Sequence, residues 1–183
     1  MDVYEAILGR RTTHKFAPEP VDEAVIDRAL RAAHRAPNHK LTWPWRFTRV
    51  GPEGRARLVE LGLRLEAAKH AVTEVQEKAV RAKLLHAAVL FAVGQVRNDD
   101  AARAREDYAA VACAIHNMQL VACAEGLGAK WSTGGITCHP ETYALLGIDP
   151  AVEEIVGFVW IGVPAQACEV PRPPLEDFVR TTD

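Results

Sequence analysis

Apolar positions recur along the chain with distinct periods, and each period predicts an element. Asp2–Leu8 reads as a short helix, followed by a polar, basic loop, GRRTTHKF. From Asp22 onward, Val25, Ile26, Ala29, Leu30 and Ala33 fall on one face of a helix. Asp22 is placed to cap that helix, with Val21 and Ile26 as a hydrophobic staple. Pro37 is expected to end it, because the residue before a proline is pushed out of the α region. Trp45–Val50 reads as a short strand, and Gly51-Pro52 then opens a third helix with proline near its first turn. Val72–Leu85 is expected to be a fourth. Ala87–Val93 is a continuous apolar run of strand length and composition.

The stretch from about Ala102 to Glu125 is the most informative element. Between Tyr108 and Ala124 it is apolar nearly all round, which predicts a helix buried on every side. One small domain wraps such a helix with difficulty, so a dimer interface is its natural place. Ala109, Ala110, Ala112 and Ala114 would let another helix approach closely. Gly126 and Gly128 stop the helix. A strand at Ala129–Thr133 follows, then a short helix with Pro140 near its start and Gly147 just past its end. Ile155–Ile161 is the last apolar strand, and the tail is proline-rich. Helices outnumber strands and do not alternate with them one by one. That pattern predicts an α+β fold, a layer of helices on a small sheet. No GxGxxG follows the first strand, which counts against a Rossmann nucleotide site.

Composition narrows the function classes. The 183 residues fit one domain, 1–183, with 49% hydrophobic and 25% charged residues. A formal net charge of -2 leaves no broad basic field for nucleic acid or an anionic membrane. The basic runs around Arg55–Arg64 and Lys78–Lys83 are interleaved with Glu and read as solvated helix faces. The start, MDVYEAILGRR, has no signal-peptide core. Tyr108–Ala124, interrupted by His116, Asn117 and Gln119, falls short of the roughly 20 residues of a membrane span. Cys113, Cys123, Cys138 and Cys168 show no secreted-scaffold spacing, so a cytoplasmic protein is expected.

Neither Cys113 with His116 nor Cys138 with His139 has the paired spacing of a zinc cluster. GxSxG, HExxH and Walker motifs are absent. Three loops carry candidate chemistry. Gly9-Arg10-Arg11-Thr12-Thr13-His14-Lys15 suits a phosphate, because guanidinium forks pair bidentately with phosphate oxygens and a hydroxyl adds a bond; a solvated basic loop would have the same composition. Arg35 and then Ala36–Trp45 form a stiff aromatic edge with His39 and Lys40, able to stack on a planar ligand. Lys130-Trp131-Ser132-Thr133-Gly134-Gly135 runs from a strand end into paired glycines, where backbone can approach a ligand.

GRRTTHKF, APNHKLTWPWRF, GLGAKWSTG and IVGFVWIGVP, in that order, resemble the signature of the nitroreductase family, especially its short bacterial NAD(P)H nitroreductase branch. The resemblance runs from about Asp2 to Val179. It implies a small, mostly antiparallel sheet flanked by helices, a long buried central helix, and an intertwined homodimer with FMN between its subunits. It further implies ping-pong transfer from NADH or NADPH to nitroaromatics, quinones or related small-molecule acceptors. The flavin would carry the chemistry, without a catalytic triad or a metal. On this resemblance Arg10, Arg11 and Thr12 match phosphate and ribityl contacts. Arg35 and His39 match positions reaching in from the partner, and Trp131, Ser132 and Thr133 match the segment along the isoalloxazine. Arg172 matches a C-terminal phosphate contact. Val121, Ala122, Cys123, Ala124, Glu125 and Gly126 match a nicotinamide contact. Leu41 and Trp43 stand where much of the family has Asn and Gln, so substrate preference does not transfer, and Trp43 would narrow the pocket. Two alternatives stay open: a reductive dehalogenase or ring dehydrogenase on the same fold, and a non-catalytic flavin-binding or redox-sensing protein.

Overall fold

The structure, a computed structural model, describes residues 1–166 and 170–182. The elements in chain order are α1 (Val3–Gly9), α2 (Glu23–Ala33), β1 (Trp45–Arg49), α3 (Pro52–Ala67), α4 (Glu74–Leu85), β2 (Val89–Val96), α5 (Ala101–Ala124), β3 (Gly128–Ser132), α6 (Gly135–Cys138), α7 (Pro140–Leu146) and β4 (Glu153–Gly162). The four strands form one antiparallel sheet in the order β1-β2-β4-β3. Helices cover both faces, which is the α+β arrangement the sequence predicts.

The central strand β2 explains its unbroken apolar run. Val89, Phe91 and Val93 pack with Ile26, Ala29, Val111 and Ile115 of α2 and α5. Leu90 and Ala92 pack on the other face with Leu58, Leu84 and Tyr143 of α3, α4 and α7. A strand buried on both faces shows no polar alternation. The strand also runs on to Val96, past the expected end at Val93, because Gly94–Val96 pair with β4 and the Gln95 amide donates to Ala104 O at 2.9 Å.

Capping sets most boundaries. Asp22 accepts from the Ala24 amide and starts α2. Thr73 and Gln76 form a reciprocal capping box, so α4 begins at Glu74 and not at Val72. Gly126, at φ +76, closes α5: its amide reaches Cys123 O at 3.0 Å and the Leu127 amide reaches Ala122 O at 2.8 Å, a Schellman pair.

Further expectations change. Helix α2 ends at Ala33, because the Arg35 and Ala36 amides bond back only three residues; Pro37 lies beyond an end already made. Helix α5 is not buried on every side within one chain. Asp107, Ala110, Val111, Ala114, Ile115, Met118, Gln119 and Ala122 face the core, while Ala109, Cys113 and His116 form an exposed stripe. Arg55 is not on a solvated face. It is 9% exposed and donates to Val50 O after β1 and to Ala87 O and Ala88 O before β2. Helix α6, four residues opened by the paired glycines, is an added element. Cys168 lies outside the described residues.

Candidate cofactor site

Helix α1, held by a capping box between Asp2 and Glu5, delivers the loop Gly9–Thr13 to the start of β3. The Thr13 amide donates to Ala129 O at 3.0 Å, and Thr12 bridges Ala129 in parallel. Thr13 is 7% exposed and packs so tightly on Gly128 that a Cβ there would stand 2.3 Å from its Oγ1. Only glycine fits at 128, and its close approach pins the loop. Arg11 turns onto the carbonyls of Leu8 and Arg10. No ion pair or hydrogen bond engages the Arg10 guanidinium among the described residues. Both arginines line a cavity of about 420 Å³ with Thr13, Gln119, Cys123 and Gly128. Burial and the nearby Arg10 charge hold the imidazole of His116 below its usual pKa.

The loop after α2 is built differently. Lys40, Leu41 and Trp43 adopt φ of 58, 54 and 47, the left-handed region. Such conformations cost of order 1–2 kcal/mol each for a side chain with a Cβ. Two adjacent acids of α5 hold the loop against that cost. Asp107, 3% exposed, accepts from Thr42 Oγ1 at 2.6 Å, and Glu106 meets His39 Nδ1 at 2.9 Å. Asn38 Oδ1 accepts from the Trp43 amide at 3.1 Å. Trp43 lies 5.7 Å from the His34 ring and 5.9 Å from the Trp45 ring, an aromatic corner. Arg35 lines one shallow cleft with Trp43, and His39 lines another with Glu106 and Cys113.

Within one chain these groups do not meet. His39 sits beside Glu106, Ala109 and Cys113, whereas Arg10 shares its cavity with Gln119 and Cys123. From Cys113 to Cys123 the helix rises about 15 Å.

At the far end of β3, Trp131 packs over Gly157 with its indole N–H buried and unbonded among the described residues. Ser132 and the exposed Thr133 lead into Gly134-Gly135. These glycines line a cleft of about 300 Å³ with Lys69, Lys83, His139 and Trp160. Lys83 and Lys130 each place Nζ 5.7 Å from the centre of the Trp160 ring. Burial, and then the like charge of Lys83, hold Lys130 below the usual lysine pKa. The two amines crowd Trp160 on the sheet face covered by α3 and α4, opposite α5.

The remaining predicted positions are spread out. Of the segment Val121–Gly126, Cys123 lines the Arg10 cavity, Ala122 is fully buried, and Glu125 pairs with Arg28 at 2.9 Å. Arg172 is exposed in the tail.

The family model "Nitroreductase family" matches residues 7–163. The chain belongs to the nitroreductase family. It is 35% identical over 178 residues to "Putative NAD(P)H nitroreductase YfhC" of Bacillus subtilis, a match covering 94% of this chain and 90% of that protein. A crystal structure named for a nitroreductase-like family protein from Bacillus cereus superposes with a TM-score of 0.86 at 28% identity, covering 100% of this chain and 97% of the other. Another, "a putative nitroreductase in complex with FMN" from Desulfovibrio desulfuricans, gives a TM-score of 0.76 at 26% identity, covering 100% and 98%.

In this nitroreductase-family chain the structure adds residues that sequence reasoning missed. Gln119 showed only as a polar interruption of an apolar helix, and that interruption was its signal. Lys83 read as one more solvated helix cation; only the fold brings it to Trp160.

Proposed function

We propose that this chain is an FMN-dependent NAD(P)H oxidoreductase, one domain over 1–183 that works as a homodimer with flavin between its subunits. The observation that carries this reading is the arginine loop at the start of β3. A half-buried arginine pair there lines a cavity of about 420 Å³ against α5, and paired glycines follow the strand's other end. The donor chemistry fits FMN end to end. Arg10 and Arg11, with Thr12, suit a terminal phosphate. Gly134 and Gly135 let backbone approach a planar ring.

Bound FMN would supply a two-electron carrier between NADH or NADPH and a nitroaromatic, quinone or related acceptor. The chain's own work is binding, orientation and exclusion. The arginine loop anchors the anionic tail. The β3 end and α6 fix the height of the ring. Arg35 and His39, from the partner, would close the site, with Glu106 holding His39 at Nδ1 so that Nε2 is the free nitrogen. Trp43 narrows the entrance. A single open face serves reductant and acceptor in turn.

Support for the dimer comes from surfaces that one chain leaves uncovered. Val3 and Tyr4 of α1 are 73% and 69% exposed, and the Ala109–Cys113–His116 stripe runs along α5. A two-fold partner laid antiparallel on that stripe would bring its His39 half onto this chain's Arg10 half.

The purified protein is expected to be yellow, to release FMN and not FAD on denaturation, and to oxidise NADH or NADPH steadily with a quinone. Double-reciprocal plots with both substrates varied should be parallel. A colourless protein that FMN cannot reconstitute contradicts the reading, and a flavin-loaded protein without turnover favours the non-catalytic alternative.

A further inference from the structure

Gln119 has no structural occupation. It is 7% exposed, on the core-facing side of α5, and no hydrogen bond engages its amide among the described residues. An amide without a protein partner leaves its donor and acceptor for water or a ligand. Its amide atoms are not among the fully enclosed unpaired ones, and Gln119 lines the Arg10–Arg11 cavity. The cavity is therefore the space its amide reaches. Two further observations orient this face of α5. His116, three residues earlier, feels the Arg10 charge, and Cys123, one turn later, lines the same cavity.

We propose that Gln119 is a cofactor ligand that hydrogen-bonds the ribityl hydroxyls of FMN; the assignment rests on the flavin reading above. The chemistry of the amide selects this part of the cofactor. A phosphate offers acceptor oxygens only, and those suit Arg10 and Arg11; the carbonyl half of an amide would face them unfavourably. A polyol both donates and accepts, matching both halves of the amide. Gln119 then sets the depth of the chain between the arginine loop and the β3 end, while Thr13, pinned on Gly128, lines the same cavity.

The test uses the full chain, stripped of flavin, titrated with FMN and with riboflavin while flavin fluorescence is followed. Riboflavin keeps the ribityl chain and lacks the phosphate. Gln119→Leu is expected to weaken both flavins by a similar factor, about ten-fold. Arg10→Ala is expected to weaken FMN by about ten- to a hundred-fold and riboflavin little, since a charge-assisted bond is lost only where phosphate is present. Gln119→Met, unbranched and close in volume, should repeat the Leu result, and thermal melts of both variants verify that the fold survives. If Gln119→Leu weakens FMN alone, the amide meets phosphate and the ribityl assignment is overturned. Unchanged affinity for both flavins overturns Gln119 as a ligand while leaving the flavin site standing. A wild-type protein that binds neither flavin overturns the site and this assignment together.

Discussion

Glu153, at the first position of β4, shows how one side chain sets a pH response. Its Oε1 is buried without a hydrogen-bond partner among the described residues, against Gly94. Burial raises its pKa above the usual carboxylate range, and Arg46 opposes the rise only in part. The folded chain therefore holds this proton to higher pH than the unfolded chain does. Between the two pKa values the native state binds more protons, so stability falls as pH rises through that window. As pH rises upward from the ordinary carboxylate range, thermal midpoints of the wild type should drop more than those of Glu153→Gln, which carries no titrating proton. Equal pH slopes would show that this carboxyl ionises freely. Legibility at this scale followed motifs. Arg10, Arg11 and Thr12 could be proposed as phosphate ligands because two guanidinium groups and a hydroxyl share one loop that matches the family signature, although composition alone fits a solvated basic loop as well. Arg55 could not, because a helix cation is usually solvated and only the carbonyls of Val50, Ala87 and Ala88 reveal its burial.

Elements were legible where local chemistry ends them. The Asp22 cap, the prolines at 52 and 140 and the glycines at 126 and 147 fall at observed boundaries. Boundaries set by distant partners were not legible: β2 gains Gly94–Val96 from its pairing with β4. The loop before β1 is the extreme case. Nothing in Lys40, Leu41 and Trp43 announces left-handed backbone, which Glu106, Asp107 and Asn38 impose from outside. Lys40 is exposed, so its side chain contributes little against this strain. Lys40→Gly should therefore stabilise the protein by about 1 kcal/mol, read as a higher thermal midpoint. A lower midpoint would mean that the loop relies on the Lys40 side chain and not on the acids of α5.

At the scale of the molecule, the family was legible because its signature is distributed: four motifs in order, from GRRTTHKF to IVGFVWIGVP, each weak alone. The assembled site was not, because one chain places Arg10 and His39 on opposite halves of α5. The apolar run Tyr108–Ala124 pointed toward a dimer interface, and in the proposed dimer the exposed Ala109–Cys113–His116 stripe is the side a partner would cover. The central claim is that the two halves of the site come from different chains. It is tested by co-expressing Arg10→Glu with the double variant Arg35→Ala/His39→Ala, each expected to hold no flavin as a homodimer. In the mixed dimer one interface collects both lesions and the other keeps a complete set. Mass-selected heterodimers should carry about one FMN per dimer, where the wild type carries about two. Heterodimers without flavin would place both groups of residues in the same chain's site and contradict the account.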